Sequence, residues 1–425
     1  MQIQELYSIF LLHPSIQTDT RKLQPGDLFF ALKGPNFNGN QFAKEALDAG
    51  AAYVINDEPV NFTNERLIQT TGTLQTLQDL AKHHRQQFTI PFIAITGSNG
   101  KTTTKELVNE VLSSTYKTYT TKGNLNNHIG VPLTILSIKN DAELAVVEMG
   151  ANHQKEIEGY CRYTMPTHGI ITNCGKAHLE GFGGEEGVRK GKGELFEYLK
   201  ATGGTAFIMN DYDYLKEMSK GIPTIKTYGT ADAEITGVAD NTAEFLQVDM
   251  INGTGIKKIN TRLVGEYNLS NVMVAVAVGK YFNVPEEAIK NALENYTPSN
   301  SRSQLIEKGG NKIILDAYNA NPTSMKAAIE NFAKMEGRDK ILLLGGMMEL
   351  GAESIAEHSA IIHLVDQYTW KAVVLVGGDF SKIKHGYLYF PNSTEAKEWL
   401  HQQHFEHAKF LVKGSRSMQM EKVLE

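Results

Sequence analysis

One segment of this 425-residue chain concentrates the residue types that handle phosphate. Ile90-Pro-Phe-Ile-Ala-Ile95 reads as a buried strand, and it runs into Thr96-Gly-Ser-Asn-Gly-Lys-Thr-Thr103. A helix follows, with Leu107, Val108, Val111 and Leu112 on one face. Strand, glycine-rich loop and helix form the layout of a phosphate cradle. Glycines let backbone N–H groups converge on an anion, and the helix N-terminus adds partial positive charge. Gly97, Ser98, Asn99, Gly100 and Thr103 make up the candidate cradle. Lys101 is placed to neutralise β- and γ-phosphates, and the Thr102 hydroxyl to ligate Mg²⁺. The general G-x-x-x-x-G-K-[ST] spacing is shortened here, since position 95 is Ile. The bland alternative is a glycine-rich turn between a strand and a helix.

Three further residues extend that chemistry. Glu148 ends the apolar run Leu144-Ala-Val-Val147, and a carboxylate at the carboxyl end of a strand in a doubly wound sheet faces the ligand crevice. It can bind Mg²⁺ directly or through water; otherwise it is a solvated strand end. His178 follows the strand Gly169 to Thr172 and its loop Asn173-Cys-Gly-Lys-Ala177, which directs it to the same crevice. A lone histidine is more often structural. Lys192 shares a helical stripe with Val188, Leu195 and Leu199. A lysine on an apolar stripe sheds hydration, which favours the neutral amine. A neutral amine reacts with CO₂ to give a carbamate, an anionic metal ligand. The alternative is a lysine that snorkels to the stripe's edge.

These residues need a scaffold of several α/β units. The length corresponds to roughly three domains of ~150 residues. With 41% hydrophobic and 21% charged residues the composition is that of a globular chain able to bury several cores. Apolar runs alternate with helical patterns, which predicts an α/β fold. Three blocks emerge: 1–88, of mixed α/β character; 89–298, a central phosphate-loop domain with a parallel sheet; and 299–425, a Rossmann-like domain. The first holds the strand candidate Asp27 to Leu32 and the helix candidates Gln41 to Asp48 and Leu74 to Gln87. The helix Asn268 to Tyr281 closes the second, and Thr297-Pro-Ser-Asn-Ser301 is the hinge candidate. Strands at Lys312 to Leu315, Ile341 to Leu344, Val373 to Val376 and Phe410 to Val412 build the third, with a helix over Ser324 to Lys334.

Lys and Arg total 42 against 48 Asp and Glu, a net charge of -6, which disfavours a nucleic-acid partner. No apolar run approaches the ~18 residues of a spanning helix, and the start lacks a basic n-region, so neither membrane insertion nor a signal peptide is expected. Two cysteines, Cys161 and Cys174, fit a reducing compartment and exclude a disulfide scaffold. A cytoplasmic monomer is the expectation.

The motifs together resemble those of the ATP-dependent Mur ligases of peptidoglycan synthesis, over essentially the whole chain. The resemblance rests on Thr96-Gly-Ser-Asn-Gly-Lys-Thr-Thr-Thr104, Gly123-Asn-Leu-Asn-Asn-His-Ile-Gly-Val-Pro132, Glu148-Met-Gly150, Ala177-His-Leu-Glu180 and Lys192-Gly-Glu-Leu-Phe196. Asp316-Ala-Tyr-Asn-Ala-Asn-Pro322 and Gly346-Met-Met-Glu-Leu-Gly351 resemble signatures of the branch that adds D-alanyl-D-alanine. The resemblance implies ATP as substrate and two Mg²⁺, one held by Thr102 and Glu148, the other by His178 and carbamylated Lys192. It implies adenine contacts from Asn268 and Asn271, whose bland reading is helix N-capping, and a nucleotide contact from Arg302. It implies that Asp316, Tyr318, Asn319 and Asn321 line the dipeptide side, where the bland reading is an Asn-Pro turn. Thr20, Arg21, Asn38, Gly39, Asn124 and Asn127 would meet the UDP-MurNAc-tripeptide. The family often has Asp-Gly-His where this chain has Asn38-Gly39-Asn40, which keeps hydrogen bonding and drops the charge.

Amide formation from a free carboxylate is uphill in water, so the implied chemistry is activation as an acyl phosphate, followed by attack of the D-Ala-D-Ala amine. Lys101, Glu148, His178 and Lys192 would carry the catalytic work. Closure of three domains would keep water from that intermediate. The competing readings are a Mur-type ligase for a single amino acid, a folylpolyglutamate synthase, and a regulatory phosphate-loop NTPase.

Overall fold

The structure is a computed structural model and describes residues 1–240, 244–299 and 301–425. It divides into two compact units. One comprises Met1–Ala94, Lys117–Gly150 and Glu156–His168; the other comprises Ile95–Tyr116, Ala151–Lys155 and Gly169–Glu425. The block 89–298 therefore contributes to both. Among the described residues, no helix is long and apolar enough to cross a membrane.

In the first unit, four short parallel strands run in the order Ile16–Gln17, Leu28–Phe30, Tyr53–Asn56, Leu67–Gln69. Their apolar faces close over Leu23, Phe29, Ala31, Leu47 and Val54. The expected helix near Gln41 begins as a 3₁₀ turn, Gly39–Phe42, before the α-helix Ala43–Asp48. Further along, Thr118–Thr120 pairs in parallel with Leu144–Glu148, whose five residues are all buried. An unbroken apolar run is what a strand covered on both faces requires, and it carries Glu148 inside at its carboxyl end.

The Phe92–Thr96 strand, whose last two residues belong to the second unit, leads through the glycine loop into the Lys101–Ser113 helix. Next to His168–Ile171 lie Thr205–Met209, Thr224–Gly229, Ile235–Asp240, Gln247–Asn252 and Lys258–Asn260 in that order, the last two joined antiparallel. The Leu269–Tyr281 helix is buried almost all round and packs on the Lys101–Ser113 helix. The expected hinge leaves Thr297 to Ser299 without regular structure; its Asn300 lies outside the described residues.

The C-terminal block of this unit is a six-stranded sheet in the order Gln304–Lys308, Asn311–Asp316, Lys409–Lys413, Lys340–Gly345, Ala372–Val376, Leu388–Phe390. Only the first pair is antiparallel. Ile313, Leu343, Val374, Phe410 and Val412 fill one face. Because the strands run in register, Asp316 and Lys413 stand side by side at the carboxyl ends of neighbours, the edge from which ligands are met in such sheets.

Candidate active site

The glycine loop is fixed by backbone conformation and by the loop that follows His168–Ile171. Gly97 has φ +142° and Gly100 φ +80°, regions that side chains rarely adopt. A Cβ on Gly97 would stand 2.0 Å from Thr172 Oγ1, and one on Gly100 2.6 Å from Asn271 Oδ1. Ser98 N–H donates to Asn173 O (2.8 Å) and its hydroxyl to Gly175 O (2.7 Å). Lys101 bends back so that Nζ donates to Gly97 O (2.8 Å) and Ser98 O (3.1 Å). The ammonium thus sits over the loop that would hold phosphate. Thr102 is buried in the first helical turn and Thr103 half-buried.

Asn268 and Asn271 lie below this loop. Thr104 Oγ1 donates to Asn271 Oδ1 (3.0 Å), Asn271 Nδ2 to Asn268 Oδ1 (2.9 Å), and Asn268 Nδ2 to Val264 O (2.9 Å). Neither caps the helix through its side chain, which sets aside the capping alternative for both. Their amides lace the Leu269–Tyr281 helix to the phosphate-loop helix.

Lys192 is 1% exposed in the Glu185–Thr202 helix, beside the buried Val188, Leu195 and Leu199, so it does not snorkel. Its Nζ donates to Ala151 O (2.8 Å) and lies 4.8 Å from the centre of the Phe182 ring. These residues fit a carbamate, because a carbamylated nitrogen keeps one N–H and with it the bond to Ala151. Burial pushes the nearby Cys174 thiol up to about 12, opposed by Lys192 and Arg189. That leaves Cys174 a neutral thiol.

His178 opens the Leu179–Phe182 turn with left-handed backbone, φ +53°. Its Nδ1 hydrogen-bonds the carboxylate of Glu349, itself at φ +61°. The imidazole holds the Glu349 carboxyl below the usual range. A carboxylate on one ring nitrogen orients the other as a metal ligand, so the donor chemistry fits. Two non-glycine residues in left-handed conformations meet in one contact, as strained backbone does at functional sites.

In the C-terminal block, Asp316 accepts Ser303 N–H on Oδ1 (3.2 Å) and the buried Lys413 ammonium on Oδ2. Arg302 lies 3.6 Å over the Tyr318 ring. Asn319 is exposed, its Oδ1 accepting Ala320 N–H (2.9 Å). Asn321 caps the Pro322–Lys334 helix and reaches Asn99. The turn alternative thus holds for the backbone of this segment, while its side chains organise the loop as well.

The first unit carries the remaining candidates. Glu148 is 1% exposed and accepts Asn126 Nδ2 on Oε1 (2.8 Å), while Thr121 Oγ1 receives its N–H (2.9 Å). The alternative of a solvated strand end is excluded, and a buried carboxylate fits a hard cation such as Mg²⁺. Asn127 is exposed, and its Oδ1 accepts the N–H groups of Ile129 (3.1 Å) and Gly130 (2.8 Å); Asn124 is exposed. Asp19 chelates Arg21 through Nε (2.8 Å), and that bond draws the Asp19 carboxyl down to about 2. Thr20 is half-buried between them. Asn38 Nδ2 donates to Glu58 Oε2 (2.7 Å), Asn40 exchanges hydrogen bonds with Asp57, and Gly39 N–H donates to Leu32 O (2.8 Å). Asparagines at 38 and 40 are therefore parts of the loop's own scaffold.

Sequence spacing brought out the loop, Glu148, His178 and Lys192, and missed their partners. Glu349 lies in a segment already singled out and Lys413 follows the Phe410 to Val412 strand, but nothing local marks which residue they meet. Asn126 and Asn173 sit within quoted loops and carried no signal of their own.

Three family models match the chain in succession: the Mur ligase family catalytic domain over residues 14–90, the Mur ligase middle domain over 95–279, and the Mur ligase glutamate ligase domain over 301–416. The chain belongs to the Mur ligase family. Among family members, the UDP-N-acetylmuramoyl-tripeptide–D-alanyl-D-alanine ligase of Escherichia coli is 35% identical over 99% of this chain and 95% of its own length. The Bacillus subtilis ligase of the same name is 39% identical over 81% of this chain and 76% of its own. A crystal structure of MurF from Acinetobacter baumannii superposes with TM-score 0.87 at 30% identity, covering 96% of this chain and 92% of that one. MurF from Thermotoga maritima, solved in complex with ADP, gives 0.88 at 25% identity, covering 97% of each. The three-domain Mur fold expected from the motifs is thus the fold of this chain.

Proposed function

We infer that this chain joins D-alanyl-D-alanine to UDP-N-acetylmuramoyl-tripeptide with consumption of ATP, forming a peptidoglycan precursor. The observation that carries the reading is the near-full-length likeness to ligases of that name. The three blocks divide the work as 1–88 for the UDP-sugar, 89–298 for ATP and 299–425 for the dipeptide. The terminal carboxylate of the tripeptide attacks the γ-phosphorus, ADP leaves, and an acyl phosphate forms. The D-Ala-D-Ala amine then attacks the acyl carbon, and phosphate departs as the amide forms.

Lys101 spreads charge developing on the transferred phosphoryl group, helped by loop N–H groups. Two Mg²⁺, one held by Thr102 and Glu148 and the other by His178 and carbamylated Lys192, would neutralise the anions that must meet. Glu349 holds His178 in the tautomer that leaves Nε2 to ligate. Asn268 and Asn271 set the floor beneath adenine, and Arg302, stacked on Tyr318, reaches the nucleotide. Asp316 and Lys413 fix the loop on which the dipeptide rests. Thr20, Arg21, Asn38, Gly39, Asn124 and Asn127 lie on the UDP-sugar side. The enzyme works in the cytoplasm as a monomer.

Acceptor-dependent ADP release tests this. With UDP-MurNAc-tripeptide present, D-Ala-D-Ala is expected to stimulate release, and single amino acids are not. Turnover with a single amino acid alone would point to another ligase of the family. Hydrolysis indifferent to every acceptor would point to a nucleotide switch.

A further inference from the structure

The start of the Pro322–Lys334 helix holds more than a cap requires. Asn321 Oδ1 accepts Ser324 N–H (3.0 Å), and Ser324 Oγ accepts Asn321 N–H (3.1 Å). This reciprocal box fixes the orientation of the Asn321 amide. Its Nδ2 is then compelled to be the outward group, and it donates to Asn99 Oδ1 at 2.7 Å. The cap therefore dictates which end of the Asn99 amide faces it: the oxygen.

Asn99 is otherwise clamped through its backbone. Its N–H donates to Asn173 Oδ1 (3.1 Å), and its carbonyl accepts Thr172 Oγ1 (2.6 Å) and Asn173 Nδ2 (3.1 Å). One polar group of the residue remains: Asn99 Nδ2, buried and without a hydrogen-bond partner. A buried amide donor normally has an acceptor. In a loop built to cradle phosphate, the acceptor that completes it is an anionic oxygen. The helix start is held to the same scaffold a second time, since Thr323 Oγ1 accepts Lys176 N–H (3.0 Å).

We propose that Asn321 is a positioning residue for the phosphate loop: through Asn99 Oδ1 it turns the Asn99 amide so that its N–H₂ is presented to a phosphate oxygen of the bound nucleotide. Without Asn321, that amide is free to rotate and offer its oxygen, which repels phosphate. The block expected to hold the dipeptide thereby completes the donor set of the block that holds ATP. This role replaces the dipeptide contact expected for Asn321, and it rests on the nucleotide reading of the loop.

The test is a double-mutant cycle read by calorimetry with a nonhydrolysable ATP analogue and Mg²⁺, which needs no turnover. Asn321→Ser keeps a capping hydroxyl but is too short to reach Asn99. It is expected to weaken the analogue roughly tenfold, the scale of one charge-assisted hydrogen bond. In an Asn99→Ala background the same change is expected to have less than about a twofold effect. Equal weakening in both backgrounds would overturn the proposal. So would unaltered analogue affinity with only the KM for D-Ala-D-Ala raised, which would return Asn321 to the dipeptide while leaving the nucleotide reading intact. A wild-type protein that bound no analogue would overturn both readings. Thermal midpoints accompany each variant, and if the Ser protein does not fold, Asn321→Thr supplies the capping hydroxyl for the same cycle.

Discussion

At the scale of single residues, the decisive group is Lys192. A lysine that is 1% exposed has given up nearly all its hydration, and a backbone carbonyl and a ring face are among the groups that replace water. Within this cage Nζ is the nitrogen that the proposed carbamate would use. Replacing Lys192 by Ala removes the nitrogen on which the proposed carbamate would form. Activity is expected to fall roughly 100-fold or more, the order seen when groups that stabilise developing charge are lost. Acetate is expected to restore part of it by occupying the vacated volume as a carboxylate. Steady-state rates with and without acetate check this, and an Ala variant of full activity would remove the carbamate from the account. His178 makes the complementary point. Its type and place were legible, whereas its partner Glu349 is 171 positions away. No spacing rule reaches that far, so the carboxylate that orients the ring emerges only from the fold.

At the scale of elements, the Glu185–Thr202 helix shows how sequence sets the Lys192 cage. Gly187 and Gly191 are four apart and so share a face. A Cβ at Gly187 would stand 1.8 Å from Phe182 O, and one at Gly191 2.4 Å from Phe182 Cε1. The glycines let the Leu179–Phe182 turn press against the helix, and this brings the Phe182 ring over the Lys192 ammonium. On helix propensity alone, Gly187→Ala should stabilise by up to ~1 kcal/mol. The collision with a backbone carbonyl reverses the sign, so a stability loss of about 1–3 kcal/mol is expected, read as a lowered urea midpoint. A raised midpoint would show that the turn yields easily. This helix was readable because its stripe repeats at helical spacing. The four strands Thr224–Gly229, Ile235–Asp240, Gln247–Asn252 and Lys258–Asn260 were not, because their burial is mixed. Thr224–Gly229 runs from exposed to buried along its length, and only its neighbours make it a strand. The capping reading of Asn268 and Asn271 failed for a related reason: Thr104, 167 positions from Asn271, binds that amide instead.

At the scale of the whole molecule, buried histidines set the response to acid. Burial pushes His168 down to about 4, and pushes His84 and His358 below 6.5 as well. These rings are neutral in the fold, while the unfolded chain takes up protons near pH 6.5. Their contribution is therefore complete above pH 6.5 and is lost as pH falls through the folded values. For His168 alone the shift corresponds to on the order of 3 kcal/mol. Urea midpoints are expected to fall from pH 7 to pH 4.5, with a shallower slope in His168→Gln; an unchanged slope in that variant would exclude His168 as a source. The broad plan, three α/β blocks around a phosphate loop, was legible because each strand–loop–helix signal is local. How the chain divides into compact units was not, since residues 117–150 group with Met1–Ala94 while 95–116 and 169–298 group with the C-terminal block.

The central claim is that ATP cleavage converts the tripeptide carboxylate into an acyl phosphate before the amine arrives. Oxygen-18 placed in that carboxylate reports on it directly. One labelled oxygen is expected in the phosphate released per dipeptide joined, read by mass spectrometry of the liberated phosphate. Ligation that proceeds with every label left in the peptide would contradict the account.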